Sequence, residues 1–257
     1  MLDRLWRGWR IAATGISFAV FGIGGVLLRL LVFPLLELLV RQPARRERMA
    51  RAVIGQVFRF FVGMMRTLGV LRYEVLGLEK LERKGLLILA NHPTLIDTVF
   101  LMAFVRNADC IVKSALQTNP FTRGPVRAAG YISNEHGAGL IEDCIASVRA
   151  GNNLIVFPEG TRTPACGTIS MKRGAANIAV RGECDVTPVV ITCQPLTLGK
   201  GEKWWQVPAR QARFRIEVKD DIEIAGFNAG GTTHVMAARH LTDHLQLFFT
   251  KESQCND

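Results

Sequence analysis

The amino-terminal part of this 257-residue chain has almost no acid. Residues 1–72 hold 12 arginines against Asp3, Glu37 and Glu47, whereas the rest of the chain holds 20 basic and 19 acidic residues, so the net charge of +10 belongs to one end. A basic segment interleaved with apolar residues suits an anionic membrane surface. Nucleic acid would ask for a basic face on the folded domain, and none is expected as a partner. The six cysteines (Cys110, Cys144, Cys166, Cys184, Cys193 and Cys255) include no C-x-x-C pair and are too sparse for a disulfide scaffold. Buried or free thiols and a reducing cytosol are implied. No G-x-S-x-G is present, which removes the nucleophile elbow of an α/β-hydrolase. No repeat or low-complexity tract is present either, and 49% hydrophobic residues with scattered glycine and proline exclude disorder, collagen and coiled coil. The length fits one main domain.

The uncharged run 11–28 (IAATGISFAVFGIGGVLL) continues past Arg29 to Val40. Thirty helical residues extend to roughly 45 Å, longer than a bilayer's hydrocarbon core. Either one tilted anchor helix or a re-entrant hairpin is expected, with Gly22, Gly24, Gly25 and Pro34 as break points. A buried core helix is the plain alternative. Arginines flank both ends (Arg4, Arg7 and Arg10 before; Arg41, Arg45, Arg46, Arg48 and Arg51 after), so the positive-inside rule gives no orientation. No small-residue cleavage site closes the run, which disfavours a removable signal peptide. Residues 48–68 then read as a basic amphipathic helix, with Arg48, Arg51, Arg59 and Arg66 close to one face. That pattern fits an interfacial helix and equally one packed on the domain with a solvated arginine face. Residues 1–69 are thus taken as a membrane anchor and 70–257 as a catalytic domain.

From Leu71 onward short apolar runs alternate with helical patterns. Strands are expected at 73–77, 86–91, 110–114, 130–134, 153–157, 186–191 and 214–219, with helices to about 106, at 138–149, 172–180 and 232–249. The fold class is α/β, a mixed, mostly parallel sheet layered with helices and preceded by membrane-associated helices. In such sheets chemistry sits where strands end.

Two strand ends carry reactive residues. LLILA runs into NHPTLID, where Pro93 suits a first helical position and places His92 at the helix mouth, with Asp97 about one turn in. Asp97 could receive one imidazole N–H and leave the opposite nitrogen bare as a base. No other histidine has an aspartate five residues later. His240 and His244, at i and i+4, could ligate metal but lack a third ligand or H-E-x-x-H. The second strand end, NLIVF-PEGTR, offers Glu159, Gly160, Thr161 and Arg162 as an anion-holding turn, or else a surface turn with a Glu–Arg ion pair.

NHPTLID at 91–97 together with FPEGTR at 157–162 resembles the glycerolipid acyltransferase family that includes 1-acylglycerol-3-phosphate acyltransferases. Met171-Lys172-Arg173-Gly174 and Thr187-Pro188-Val189 are similar to two further stretches of that family, and the resemblance spans residues 70–195. It implies transfer of a fatty acyl group from acyl-CoA or acyl carrier protein to a lyso-lipid hydroxyl at the cytoplasmic face of the inner or plasma membrane. His92 would be general base, Asp97 its partner, and Glu159, Gly160, Thr161, Arg162 and Lys172 part of the acceptor site. A thioester is already activated, so neither metal nor organic cofactor is called for. The sequence departs from the family after Gly130-Tyr131-Ile132-Ser133, where Asn134, Glu135 and His136 stand in place of an expected phosphate-binding arginine. Arg123, Arg127 or Lys172 could compensate. Otherwise the acceptor is a non-phosphate lyso-lipid, such as an amino-acid lipid or a polyene or outer-membrane lipid precursor. An esterase or thioesterase and a non-catalytic lipid-binding protein are the other readings. Trp204 and Trp205 fit either an interfacial contact or loop packing.

Overall fold

The computed structural model describes residues 2–135, 137–164, 169–229 and 231–254; His136, Cys166 and Cys255 lie outside them. In chain order the elements are α1 (Leu2–Leu27), a π-helical turn (Leu28–Val32), α2 (Phe33–Leu39), α3 (Pro43–Thr67), β1 (Leu71–Leu76) and β2 (Leu87–Ala90). Next come α4 (Asp97–Phe104), β3 (Ala108–Val112), α5 (Ala115–Thr118), α6 (Arg123–Ala128), β4 (Ile132–Ser133), α7 (Leu140–Arg149) and β5 (Asn153–Val156). The chain closes with α8 (Arg173–Gly182), β6 (Val186–Gln194), β7 (Ala212–Val218), α9 (Ala225–Asn228) and α10 (His234–Gln254).

The seven strands form one sheet in the order β1-β7-β6-β2-β5-β3-β4, parallel throughout except for the antiparallel β6–β7 pair. β2 and β5 are buried at every residue, as central parallel strands with both faces covered must be. Successive residues serve opposite cores. Ile88, Ala90, Ile155, Val189 and Ile191 join the core that includes Phe61, Val62 and Met65 of α3 and Phe100 of α4. Leu87, Leu89, Leu154, Val156 and Val190 join the core under α7, α8 and α10. The packing of the sheet therefore draws on residues amino-terminal to position 70.

The amino-terminal segment differs from the sequence expectation in two ways. Leu2–Leu39 stays helical past every glycine, and the chain turns back only at residues 40–42 to enter α3. Two of the glycines are instead points of close approach: a Cβ on Gly25 would lie 2.6 Å from the Phe121 carbonyl oxygen, and one on Gly15 would lie 3.1 Å from the Trp204 ring. Pro34, which has no N–H and crowds the carbonyl one turn back, is accommodated by the π turn, where the Phe33 N–H reaches the Leu28 carbonyl. Leu5–Leu39 is long and apolar enough to enter a membrane, its most apolar 18-residue stretch having a mean hydropathy of 2.2.

The second difference concerns the arginine face of α3, which is engaged by the domain rather than simply solvated. Arg51 is buried, 3.1 Å from Asp109, and its Nε donates to the Ala129 carbonyl. Arg59 donates to the Ala103 carbonyl through two nitrogens, and the Arg66 guanidinium lies over the Tyr73 ring. Asp109 also accepts from Ser147, so one buried carboxylate ties α3, β3 and α7 together.

Candidate active site

Leu89 of β2 pairs with Val156 of β5, so His92 and Glu159, each three residues further on, emerge level at the carboxyl edge of the sheet. The two motifs interlock there. The His92 N–H donates to Glu159 Oε1 (3.0 Å), Thr163 Oγ1 donates to the same oxygen (2.8 Å), and the Thr163 N–H donates to the His92 carbonyl (2.7 Å). Asn91 continues the ladder beyond β2 with its side chain, donating to the Ile191 carbonyl and accepting from the Ile191 N–H.

His92 does not sit at a helix mouth. α4 begins at Asp97, and Thr94–Ile96 form a turn ahead of it. The turn is drawn tight by Asp97, which accepts the Thr94 N–H on Oδ2 (2.6 Å) and the Thr94 hydroxyl on Oδ1 (2.5 Å). Oδ2 also lies 2.9 Å from His92 Nδ1. Both Asp97 oxygens thus face hydrogen-bonding partners; with the carboxyl ionised it can only accept, in which case Nδ1 carries the proton and the opposite Nε2 is left bare. The ring is further fixed by stacking on Phe157, with centroids 4.2 Å apart and planes at 24°. Asp97 is wholly buried while the His92 side chain keeps 17% exposure, enough for an incoming group to reach it.

Burial pushes the Asp97 carboxyl above the ordinary carboxylate range, against the opposing pull of His92 and Thr94. Glu159 is likewise raised by burial, opposed by the Thr163 hydroxyl and the His92 N–H. Two buried carboxyls are thus held at His92, Asp97 at its ring and Glu159 at its backbone N–H, and clustered perturbed groups of this kind are common at functional sites.

The remaining sequence candidates gather at the same edge in different roles. Glu159 is buried and holds the His92 backbone, and Arg162 turns to the carbonyls of Leu198 (3.0 Å) and Gly199 (2.7 Å) rather than to Glu159. Gly160 has φ +67°, a left-handed value that suits glycine, and the Lys172 side chain crosses it so closely that a Cβ would lie 2.8 Å from Nζ. Lys172 is exposed, with its N–H on the Pro158 carbonyl, and Thr161 is exposed beside it.

Asn91, Thr94, Phe157, Thr163 and the 198–199 carbonyls are not among the sequence candidates. The T-x-x-D spacing of Thr94 and Asp97 is the available signal for one of them; backbone carbonyls leave none. His240 and His244 are exposed on α10, and among the described residues no three His, Cys, Asp or Glu side chains are grouped to hold a metal ion. Burial pushes the thiols of Cys144 and Cys193 up to about 12 and that of Cys184 to about 11, unsuited to nucleophilic work.

Comparison with known proteins bears on this geometry. Residues 72–192 match the family model described as Acyltransferase. A 1-acyl-sn-glycerol-3-phosphate acyltransferase of Pseudomonas aeruginosa is 28% identical over 148 residues, covering 54% of this chain and 56% of the relative. The corresponding Saccharomyces cerevisiae enzyme is 26% identical over 157 residues, covering 57% of this chain and 50% of the relative. The chain spans about half the length of the curated relatives it matches. The crystal structure of the 1-acyl-sn-glycerophosphate acyltransferase PlsC from Thermotoga maritima superposes with a TM-score of 0.67 at 20% identity, covering 96% of this chain and 97% of that one, which is a likeness of fold. Over residues 72–192 the chain is similar to the Acyltransferase family, and it resembles the 1-acylglycerol-3-phosphate acyltransferases.

Proposed function

We propose that this protein is a membrane-associated O-acyltransferase that moves a fatty acyl group from acyl-CoA or acyl carrier protein to the hydroxyl of a lyso-lipid, foremost 1-acylglycerol-3-phosphate. The observation that carries the reading is the buried Asp97 carboxylate behind Nδ1 of His92, at the edge where the PEGTR turn also ends. His92 Nε2 takes the acceptor's hydroxyl proton as that oxygen attacks the thioester carbonyl carbon. The tetrahedral oxyanion collapses, the C–S bond breaks, and the departing thiolate takes the proton back from the imidazolium. Asp97 stabilises that imidazolium while it lasts. Lys172, exposed across Gly160, is the cation at this edge for an acceptor phosphate, since Arg162 commits donors to the 198–199 carbonyls.

Residues 1–69 anchor the domain to the cytoplasmic face of a membrane. Trp6, Ile23, Leu30, Leu31 and Leu38 are 61–77% exposed along the amino-terminal helix, and Leu95 in the His–Asp turn is 47% exposed. Such a surface is larger than the scattered apolar residues of a soluble protein. Because α3 supplies core residues, the anchor is tested by substitution rather than truncation. Leu31→Glu with Leu38→Glu is expected to shift the protein from vesicles of anionic lipid to the supernatant, with its fold retained; unchanged sedimentation would place the anchor elsewhere.

One observation favours a second reading of the acceptor. At the end of β4, where the resemblance leads one to expect arginine, Asn134 Oδ1 accepts the Ser114 N–H (3.1 Å), a structural role without charge. The deciding experiment incubates the full chain in lipid vesicles with labelled acyl-CoA or acyl carrier protein and a panel of phosphate and non-phosphate lyso-lipids, with products read by mass spectrometry. Acylated 1-acylglycerol-3-phosphate is expected. Product from a neutral or amino-acid lyso-lipid alone would select the second reading, and no product from any acceptor would reject acyl transfer.

A further inference from the structure

Arg10 sits on an apolar helix yet is only 8% exposed. Its Nη2 donates to the carbonyls of Pro208 (3.3 Å) and Ala209, and its Nε is buried without an acceptor among the described residues. The acceptors it does have are backbone carbonyls, not carboxylates, so a buried cation is kept at a cost that its own ionic partners do not offset. Arg7, one turn earlier, donates from Nε to the Val207 carbonyl (3.1 Å). One turn later Gly15 lets the Trp204 ring lie against the helix, and Phe18 meets the same ring at 6.4 Å between centroids. Four consecutive turns of α1 therefore grip one segment, residues 195–211, that carries no regular secondary structure of its own.

The other end of that segment reaches the catalytic motifs. Leu198, buried at φ +55°, presents a carbonyl that accepts both the Leu95 N–H (3.0 Å) and Arg162 Nη1 (3.0 Å). Leu95 lies inside the turn between His92 and Asp97, and Arg162 closes the PEGTR turn. The packing agrees with the hydrogen bonds: Thr14 of α1, Ile96 beside Asp97, Leu198, Val207 and Pro208 line one small void of about 10 Å³, so α1, the 195–211 segment and the His–Asp turn meet there.

We propose that Arg10 and Gly15 of the anchor helix are positioning residues for acyl transfer: they seat the 195–211 segment, whose 198–199 carbonyls hold the His92–Asp97 turn and the PEGTR turn in register. The proposal rests on the acyltransferase reading above and makes the membrane helix a working part of the site.

The test uses the full chain in anionic vesicles, comparing Arg10→Gln, Arg10→Lys, Gly15→Leu, Gly15→Leu with Trp204→Ala, and Gly24→Leu. The last is a control on the same helix, since nothing lies within 4 Å of a Cβ at Gly24. Because sub-ångström misplacement of reacting groups is expensive, Arg10→Gln and Gly15→Leu are expected to lower kcat roughly tenfold or more with KM within about twofold. Vesicle binding and thermal midpoint should stay as in the wild type. Arg10→Lys is expected to restore most of the rate, and so is the double variant, in which loss of the Trp204 ring makes room for the side chain added at position 15. A second readout needs no turnover: the rate of His92 carbethoxylation by diethylpyrocarbonate, followed by mass spectrometry, should change about threefold or more in the two impaired variants and not in Gly24→Leu. Wild-type kcat in both impaired variants, equal harm from Gly24→Leu, or lost activity that follows lost vesicle binding with His92 reactivity unchanged would each overturn the proposal. If Arg10→Gln does not fold, the Gly15 and Trp204 pair decides alone. If the wild type makes no product, the acyltransferase reading fails, and the carbethoxylation rates still decide whether α1 positions His92.

Discussion

Asp97→Asn separates what the carboxylate does for chemistry from what it does for the fold. Asparagine keeps the shape, and the Thr94 N–H that points at Oδ2 orients the amide oxygen toward that donor and toward His92 Nδ1. The amide nitrogen then faces the Thr94 hydroxyl, which can rotate to accept. The tautomer of His92 is preserved and only the charge is lost. With about 4 Å between imidazolium and carboxylate and an effective dielectric of about 20, the attraction is about 4 kcal/mol, or about 10³ in rate. Since the proton is only partly transferred in the transition state, a fall in kcat of about 10²–10³ is expected, with little change in KM. Stability should move the other way. The folded-state pKa of Asp97 is raised by burial, so the wild-type fold loses stability as pH rises from the unfolded carboxyl value through the folded one. The variant lacks that loss and should unfold at pH 7 no more easily than the wild type. Turnover by labelled-acyl transfer and thermal unfolding across pH 4–8 check both parts. Full activity in Asp97→Asn, or a joint loss of activity and stability, would refute the reasoning.

Other consequences follow from the same contacts. Arg51→Met leaves Asp109 buried without its cation and is expected to cost about 3–5 kcal/mol of stability, measured by denaturant unfolding in detergent; a loss under about 1 kcal/mol would mean water reaches the site. Glu159→Gln keeps an acceptor for the His92 N–H and the Thr163 hydroxyl, and it removes a carboxyl whose raised pKa makes the wild type less stable as pH climbs above the unfolded value. Its melting curve should match the wild type near pH 4 and equal or exceed it at pH 7, and a lower midpoint at pH 7 would show that the charge itself supports the turn.

The two central strands are legible because each is a short buried run, apolar but for Asn153 at the start of β5. LILA and NLIV are buried on both faces and need no partner to be recognised, and their parallel register carries His92 and Glu159 to one edge. The His–Asp pair is legible for a local reason, since five residues of chain fix its reach. Contacts that depend on what lies opposite are not legible. Gly15 and Gly25 announce freedom of the backbone, but only the fold reveals Trp204 and Phe121 against them. The arginines of α3 have the spacing of a solvated face, and only the position of Asp109 across the core makes Arg51 a buried ion pair. Arg162 has the chemistry of an anion ligand, and its acceptors are carbonyls of a segment without any pattern. The start of α4 at Asp97 rather than Pro93 is also not legible, because the Asp97 carboxylate accepts the Thr94 N–H and residues 94–96 form a turn ahead of the helix.

The central claim is that His92 is the base for an acyl transfer completed without a covalent enzyme intermediate. Labelled-acyl transfer to lyso-lipid, measured for the wild type and for His92→Ala in the same vesicles, tests it most directly. The account predicts a drop of about 10²–10⁴ in kcat with the fold and vesicle binding intact. Wild-type turnover in His92→Ala, or an acyl group trapped on a side chain of the protein during turnover, would contradict it.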